Sequence, residues 1–279
     1  MSMSMAVRRS LGRVLDRIEG AAAQRIEAGG SVPRLVAVSK KKSVDHIVAA
    51  YNYGQRHLGE NYVPELVEKA RDPRILSGAP DVRWHYIGSL RRQQCKLIAA
   101  LPNLWMVETV AANDVSKALN VAWKNQRHSE ERDLRVMVQV NTSSEPNKSG
   151  CEIDDCVAIV EHILKNCDHL VFSGLMTIGA VKNSLRCQED PTFNNPDFEV
   201  LQELKEKVCA AHSLGKDEVG LSMGMTADME NAIRNGSTNI RVGTAIFGSR
   251  EDSVYASESE PQSGDSTVPG PAFPLLFSS

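Results

Sequence analysis

Leu35-Val36-Ala37-Val38-Ser39, followed at once by Lys40, is the stretch on which the fold turns. It has the length of a strand and is continuously apolar rather than alternating, as a strand buried on both faces should be. Seven more runs of this kind follow, at residues 56–59, 84–88, 104–109, 135–141, 171–178, 219–223 and 240–247. Helical spacing fills the intervals between many of them. Val44, Ile47, Val48 and Tyr51 share one face, as do Val63, Leu66, Val67 and Ala70, and then Val115, Ala118, Leu119 and Ala122. Val157, Val160 and Leu164 follow, then Leu201, Leu204, Val208 and Ala211, and lastly Met229, Ala232 and Ile233.

Strands alternating with helices specify either a closed α/β barrel or a doubly wound sheet. Eight is the number at which a parallel sheet closes, so the expected fold is a single (β/α)8 barrel over residues 31–248. No eighth helical pattern follows the last strand. Upstream, Leu11, Val14, Leu15, Ile18 and Ala22 form the stripe of an amphipathic helix that Gly29-Gly30 ends. That N-terminal helix, within residues 1–30, can complete the outer ring. Residues 249–279 change character, with eight Ser, four Pro and two Gly. Such a stretch buries too little apolar surface to offset ordering and is expected to be a disordered tail.

The 279 residues are 42% hydrophobic and 24% charged, ordinary for a globular domain. The net charge is −3, and residues 249–279 hold −4 of it. No basic stripe suggests a nucleic-acid surface. No run approaches the roughly 18 apolar residues of a membrane span. The six cysteines show no C-x-x-C pair and no zinc spacing. They read as reduced thiols of an intracellular, cytoplasmic protein, with a mitochondrial pool left open.

Barrel active sites lie at the C-terminal ends of the strands. Lys40 ends the first strand, so its amine points into the barrel mouth, where burial makes a lysine nucleophilic toward aldehydes. Lys41 and Lys42 are the other candidates, but they are expected to begin the next helix and face water. Strand seven runs into Ser222, Met223, Gly224, Met225 and Thr226, with Thr226 the expected cap of the next helix. Strand eight carries Gly243 and Thr244, which can present backbone N–H groups to a phosphate. Arg241 is a cation inside that apolar strand and needs a partner, either a ligand acceptor or a barrel carboxylate.

The blocks LVAVSK (35–40), LGENY (58–62), WHYIG (84–88), VQVNTS (138–143), GLMTIG (174–179), LSMGM (221–225) and GSTNIRVGTAIFG (236–248) stand in this order. Together they resemble the pyridoxal phosphate homeostasis protein family, also called the proline synthetase co-transcribed homologue family, from about residue 11 to residue 248. The resemblance implies the N-terminal barrel of alanine racemase and covalent pyridoxal 5′-phosphate, held as a Schiff base on Lys40. It implies that Ser222, Gly243 and Thr244 hold the phosphate, that Arg241 faces the pyridine nitrogen, and that Asn61 and His85 lie near the ring. The implied role is carriage and buffering of the cofactor, with apoenzymes as recipients, without committed catalysis and as a monomer. The alternative is a racemase-like enzyme with His85 or a thiol as second base. Such racemases resembling this barrel take a tyrosine from a further β-domain, whereas only the low-complexity tail follows here. Lys41 and Ser43 stand where the family has Thr and Pro, and Arg91, Gln93 and Gln94 alter the loop after strand three.

Overall fold

In the computed structural model, residues 2–27, 30–126, 133–146 and 148–249 are described. Eight parallel strands close into a barrel in sequence order: β1 (Arg34–Val38), β2 (His57–Glu60), β3 (Arg83–Tyr86), β4 (Leu104–Val110), β5 (Leu134–Gln139), β6 (Leu170–Met176), β7 (Gly220–Ser222) and β8 (Asn239–Val242). The ring is sealed by β1 against β8, with Leu35 opposite Ile240 and Val36 opposite Arg241. The (β/α)8 barrel expected from the apolar runs is therefore the fold. The expected tail, apart from Ser249, lies outside the described residues.

Three boundaries differ from the sequence reading. The eighth strand stops at Val242, and Thr244–Phe247 form a helical turn instead of continuing it, starting from Gly243. Thr226 does not cap the following helix; Met229–Arg234 begins after Asp228, whose Oδ1 accepts from the Met225 N–H at 2.6 Å. Lys42 does not face water either. It is buried, and its Nζ donates to the Ser249 carbonyl at 2.6 Å. The helix beyond it starts only at Val44.

The N-terminal helix runs over Met3–Glu27, well upstream of the predicted stripe. Val7, Leu11, Val14, Ile18 and Ala22 are buried, while Leu15 falls at the edge and is exposed. The helix packs on Val44–Asn52, Met229–Arg234 and Thr244–Phe247, which fills the gap left after β8. Short helices at Pro73–Gly78, Cys95–Ala99 and Val181–Glu189 had no clear apolar period and were not predicted.

Closure of the barrel depends on glycine where β6 meets β7. Gly174 has φ +136°, and a Cβ there would sit 2.0 Å from the Gly220 carbonyl oxygen. The space can be opened only by moving backbone. Gly174→Ala is expected to cost about 3 kcal/mol or more from overpacking and a left-handed φ. Gly12→Ala, in open space on the N-terminal helix, should stabilise slightly, by about 0.5–1 kcal/mol. Urea midpoints of the two variants against the parent check both.

Candidate functional site

A cavity of about 370 Å³ opens at the C-terminal ends of the strands. Its wall comes from Val38 at the end of β1, Lys40 and Lys42 beyond it, Asn61 after β2 and Ile87 after β3. Met176 and Ile178 on and after β6, the Met225-Thr226-Ala227 loop after β7, and Arg241, Gly243 and Thr244 on and after β8 complete it. Five of the seven predicted site residues thus meet here: Lys40, Asn61, Arg241, Gly243 and Thr244. His85 and Ser222 do not line the cavity. Both are buried beneath it, inside the barrel.

The backbone around Lys40 is fixed from outside the barrel wall. Lys69, from the helix Val63–Arg71, is buried and donates from Nζ to the Ser39 carbonyl at 2.7 Å, to Glu60 Oε1 at 2.8 Å and to Glu65 Oε1 at 2.6 Å. Ser39 Oγ donates to Glu60 Oε1 at 2.6 Å, and the Lys41 N–H to Glu65 Oε1 at 2.5 Å. Lys41 takes φ +59°, so the chain turns sharply just after Lys40. Strand alternation then sends Ser39 outward to this network and Lys40 inward to the cavity.

Asn61 is held by a close backbone approach. A Cβ on Gly88 would lie 1.8 Å from the Asn61 carbonyl oxygen, so the end of β3 touches the loop after β2 only because residue 88 is glycine. Asn61 Oδ1 is buried and makes no hydrogen bond among the described residues. An acceptor left unsatisfied in a cavity wall costs free energy that a ligand donor can recover.

Below the cavity a chain of side chains runs along the barrel interior. Arg241 Nη1 donates to Ser222 Oγ at 2.6 Å, and Nη2 to the Thr177 carbonyl at 2.7 Å. Ser222 Oγ donates to Glu108 Oε2 at 2.5 Å. The other oxygen, Oε1, lies 2.5 Å from His85 Nδ1, and His85 Nε2 lies 2.7 Å from His57 Nδ1. Burial pushes the Glu108 carboxyl upward, yet His85, Arg241 and Ser222 outweigh it and leave its pKa below the ordinary carboxylate value. Arg241 is shifted down by burial, with Glu108 and Asp228 opposing. Ser222 thus links Arg241 to Glu108 beneath the cavity. His85 is the other partner of Glu108.

Glu108, Glu60 and Lys69 were not among the predicted site residues. Glu108 had a signal, since it is a lone acid in the apolar run 104–109 and answers the charge on Arg241. Lys69 had only the Glu65 four residues before it, a spacing that usually marks a solvated helix pair rather than a buried one.

An eight-stranded barrel with a lysine after β1 and an arginine on β8 facing one cavity defines a protein of the alanine racemase N-terminal type. The profile of that family, "Alanine racemase, N-terminal domain", matches residues 17–251. The pyridoxal phosphate homeostasis protein of Homo sapiens is 45% identical over 252 residues, 90% of this chain and 89% of the human one. Its counterpart from Haemophilus influenzae is 36% identical over 251 residues, 90% of this chain and 98% of the other. The chain belongs to the pyridoxal phosphate homeostasis protein family. Among solved structures, an unknown protein from Bifidobacterium adolescentis matches with a TM-score of 0.72 at 31% identity, over 88% of this chain and 96% of that one. PipY of Synechococcus elongatus with PLP bound shares the fold, with a TM-score of 0.63 at 23% identity over 87% of this chain and 100% of that one.

Two outcomes test these networks. Glu108→Gln keeps the shape but leaves Arg241 without its counter-charge, and is expected to cost about 3–5 kcal/mol in urea unfolding. Burial, and then the neighbouring Glu65, push the Glu60 carboxyl up to about 7 against the pull of Lys69. The folded state thus holds a proton that the unfolded chain releases near the ordinary carboxylate pKa. The stabilising contribution of Glu60 is present below that value and is lost as pH rises toward 7. The stability of Glu60→Gln relative to the parent should therefore improve between about pH 5 and 7, read from thermal midpoints across that range.

Proposed function

We propose that this protein binds pyridoxal 5′-phosphate in the cavity at the C-terminal mouth and acts in intracellular homeostasis of that cofactor, as a carrier rather than as a committed catalyst. The observation that supports the reading most is the position of Lys40: inward-facing at the end of β1, on the cavity wall, with Arg241 on the same wall. The volume is at the low end of the roughly 300–1,000 Å³ typical of small-molecule sites. The donor set also suits the cofactor, with an amine for an aldehyde, free backbone N–H groups for a phosphate and a buried orphan oxygen on Asn61.

When bound, pyridoxal phosphate supplies a reactive aldehyde and an electron-withdrawing ring. Lys40, on the cavity wall, would offer its Nζ to that aldehyde. The Lys69 and Glu65 bonds at Ser39 and Lys41 hold the Lys40 backbone in register. Gly243 and Thr244 lead into the turn Thr244–Phe247, whose first N–H groups have no partner within the turn and would hold the phosphate. Arg241, anchored by Ser222 and Thr177, would face the ring nitrogen as a permanent cation and disfavour its protonation. Enzymes that use the ring as a strong electron sink place a carboxylate there instead.

The racemase reading loses its second base. His85 is committed to Glu108 below the cavity, and none of the six cysteines lines it. Holding and handing on the cofactor, to apoenzymes among other recipients, needs no second base. The N-terminal helix closes the ring of the barrel within one chain, which supports a monomer.

Protein mixed with pyridoxal phosphate is expected to gain a visible absorption band that borohydride bleaches, leaving a stable adduct that peptide mapping places on Lys40. Lys40→Ala should lose the band and the adduct. An adduct on Lys41, Lys42 or Lys69, or none at all, refutes the assignment.

A further inference from the structure

The N-terminal ends of the strands, at the opposite mouth of the barrel, carry a separate cluster of charge. Arg34 opens β1, Arg83 opens β3 and Arg135 is second in β5. Trp105, second in β4, lies among them: Arg83 Cζ is 4.3 Å and Arg135 Cζ 4.0 Å from a ring centroid of its indole. Arg34 Nη1 donates to Asn239 Oδ1 at 3.2 Å. Arg83 Nη1 comes within 3.4 Å of His57 Nε2, and His57 meets Trp105 edge to face. Arg83 is exposed, and Arg34 and Arg135 are half-buried, so the cluster is open to solvent.

Among the described residues, none of these three arginines makes an ion pair. The carboxylate whose charge reaches Arg34, Glu108, is already bonded to His85 and Ser222. Burial lowers the pKa of Arg34, and Arg135 and Arg83 lower it further. Burial also depresses His57 to about 2, with His85 and all three arginines adding to the effect. His57 therefore stays neutral and adds no charge of its own to this floor of the barrel. Like charges gathered at a partly desolvated mouth repel one another and focus a field that attracts anions.

We propose that this floor binds a small phosphate-type oxyanion, seated among Arg34, Arg83 and Arg135. Guanidinium forks match phosphate oxygens bidentately. Stacking on Trp105 orients two of the forks beforehand, so little side-chain entropy remains to be lost on binding. Three positive charges select a multiply charged oxyanion over chloride. The site is independent of the cofactor reading, because it shares no residue with the cavity at the other mouth.

Trp105 supplies the readout. Inorganic phosphate, and in a second arm a phosphate monoester, would be titrated into the protein at constant ionic strength while tryptophan fluorescence is followed. A saturable change is expected that disappears in Trp105→Phe, weakens about tenfold or more in Arg34→Gln and Arg135→Gln, and persists in Lys40→Ala. A tighter monoester points to a phosphorylated metabolite, and equal affinities point to free phosphate; both support the site. Phosphorus NMR line broadening on the unaltered protein, with exposed Arg83→Gln as comparison, gives the answer should the half-buried variants not fold. The proposal is overturned by the absence of any saturable response, by an identical response to chloride, or by a response that survives the arginine substitutions and vanishes in Lys40→Ala.

Discussion

A carboxylate in the middle of the barrel makes the rest of the interior possible. Arg241 has to reach the cavity from β8, a position where a bare guanidinium is too costly to bury. Glu108, three strands back in sequence order from β7, meets that cost through Ser222 and is itself steadied by His85. The compensation is indirect: Arg241 and Glu108 share a hydroxyl rather than a salt bridge. That leaves the guanidinium aimed at the cavity wall instead of folded down onto the acid. A direct pair would neutralise the charge more fully but would draw the guanidinium away from the place where a ligand could meet it.

The second constraint lies outside the barrel wall. Lys69, Glu60 and Glu65 lie between the helix Val63–Arg71 and the ends of β1 and β2. Their bonds go to the backbone on either side of Lys40, not to its amine. Alternation along the strand separates the two jobs, with Ser39 and Glu60 turned to the network and Lys40 turned to the cavity. Lysine chemistry can thus proceed on one face of a strand while the other face stays rigid.

Much of this was readable in the sequence because it rests on periodicity. Eight apolar runs separated by helical segments gave the barrel, and strand ends gave Lys40, Arg241, Gly243 and Thr244 as groups facing one mouth. Sequence position put Ser222 and His85 on the inner face but did not set their height. Both are buried beneath the cavity rather than part of its lining. Thr244–Phe247 was read as strand because four residues of Thr, Ala, Ile and Phe fit either state, and only the chain's exit after Gly243 decides between them. Lys42 and Lys69 looked solvated because charge usually is. Their burial depends on backbone partners distant in sequence, the Ser249 carbonyl for Lys42 and the Ser39 carbonyl for Lys69, that periodicity does not reveal.

The distribution of thiols has a practical consequence. All six cysteines are free and buried, and all lie on or beside the helices and loops between β3 and β7. Burial pushes the Cys95 thiol up to about 11, and Cys156 is raised by a thiol hydrogen bond with Cys151 and by burial. Only the thiolate reacts quickly with alkylating reagents. Labelling at these positions thus waits for local opening, and the order in which they label records how that side of the barrel comes apart. The side formed by β8, β1 and β2, which carries Lys40, is silent in such an experiment.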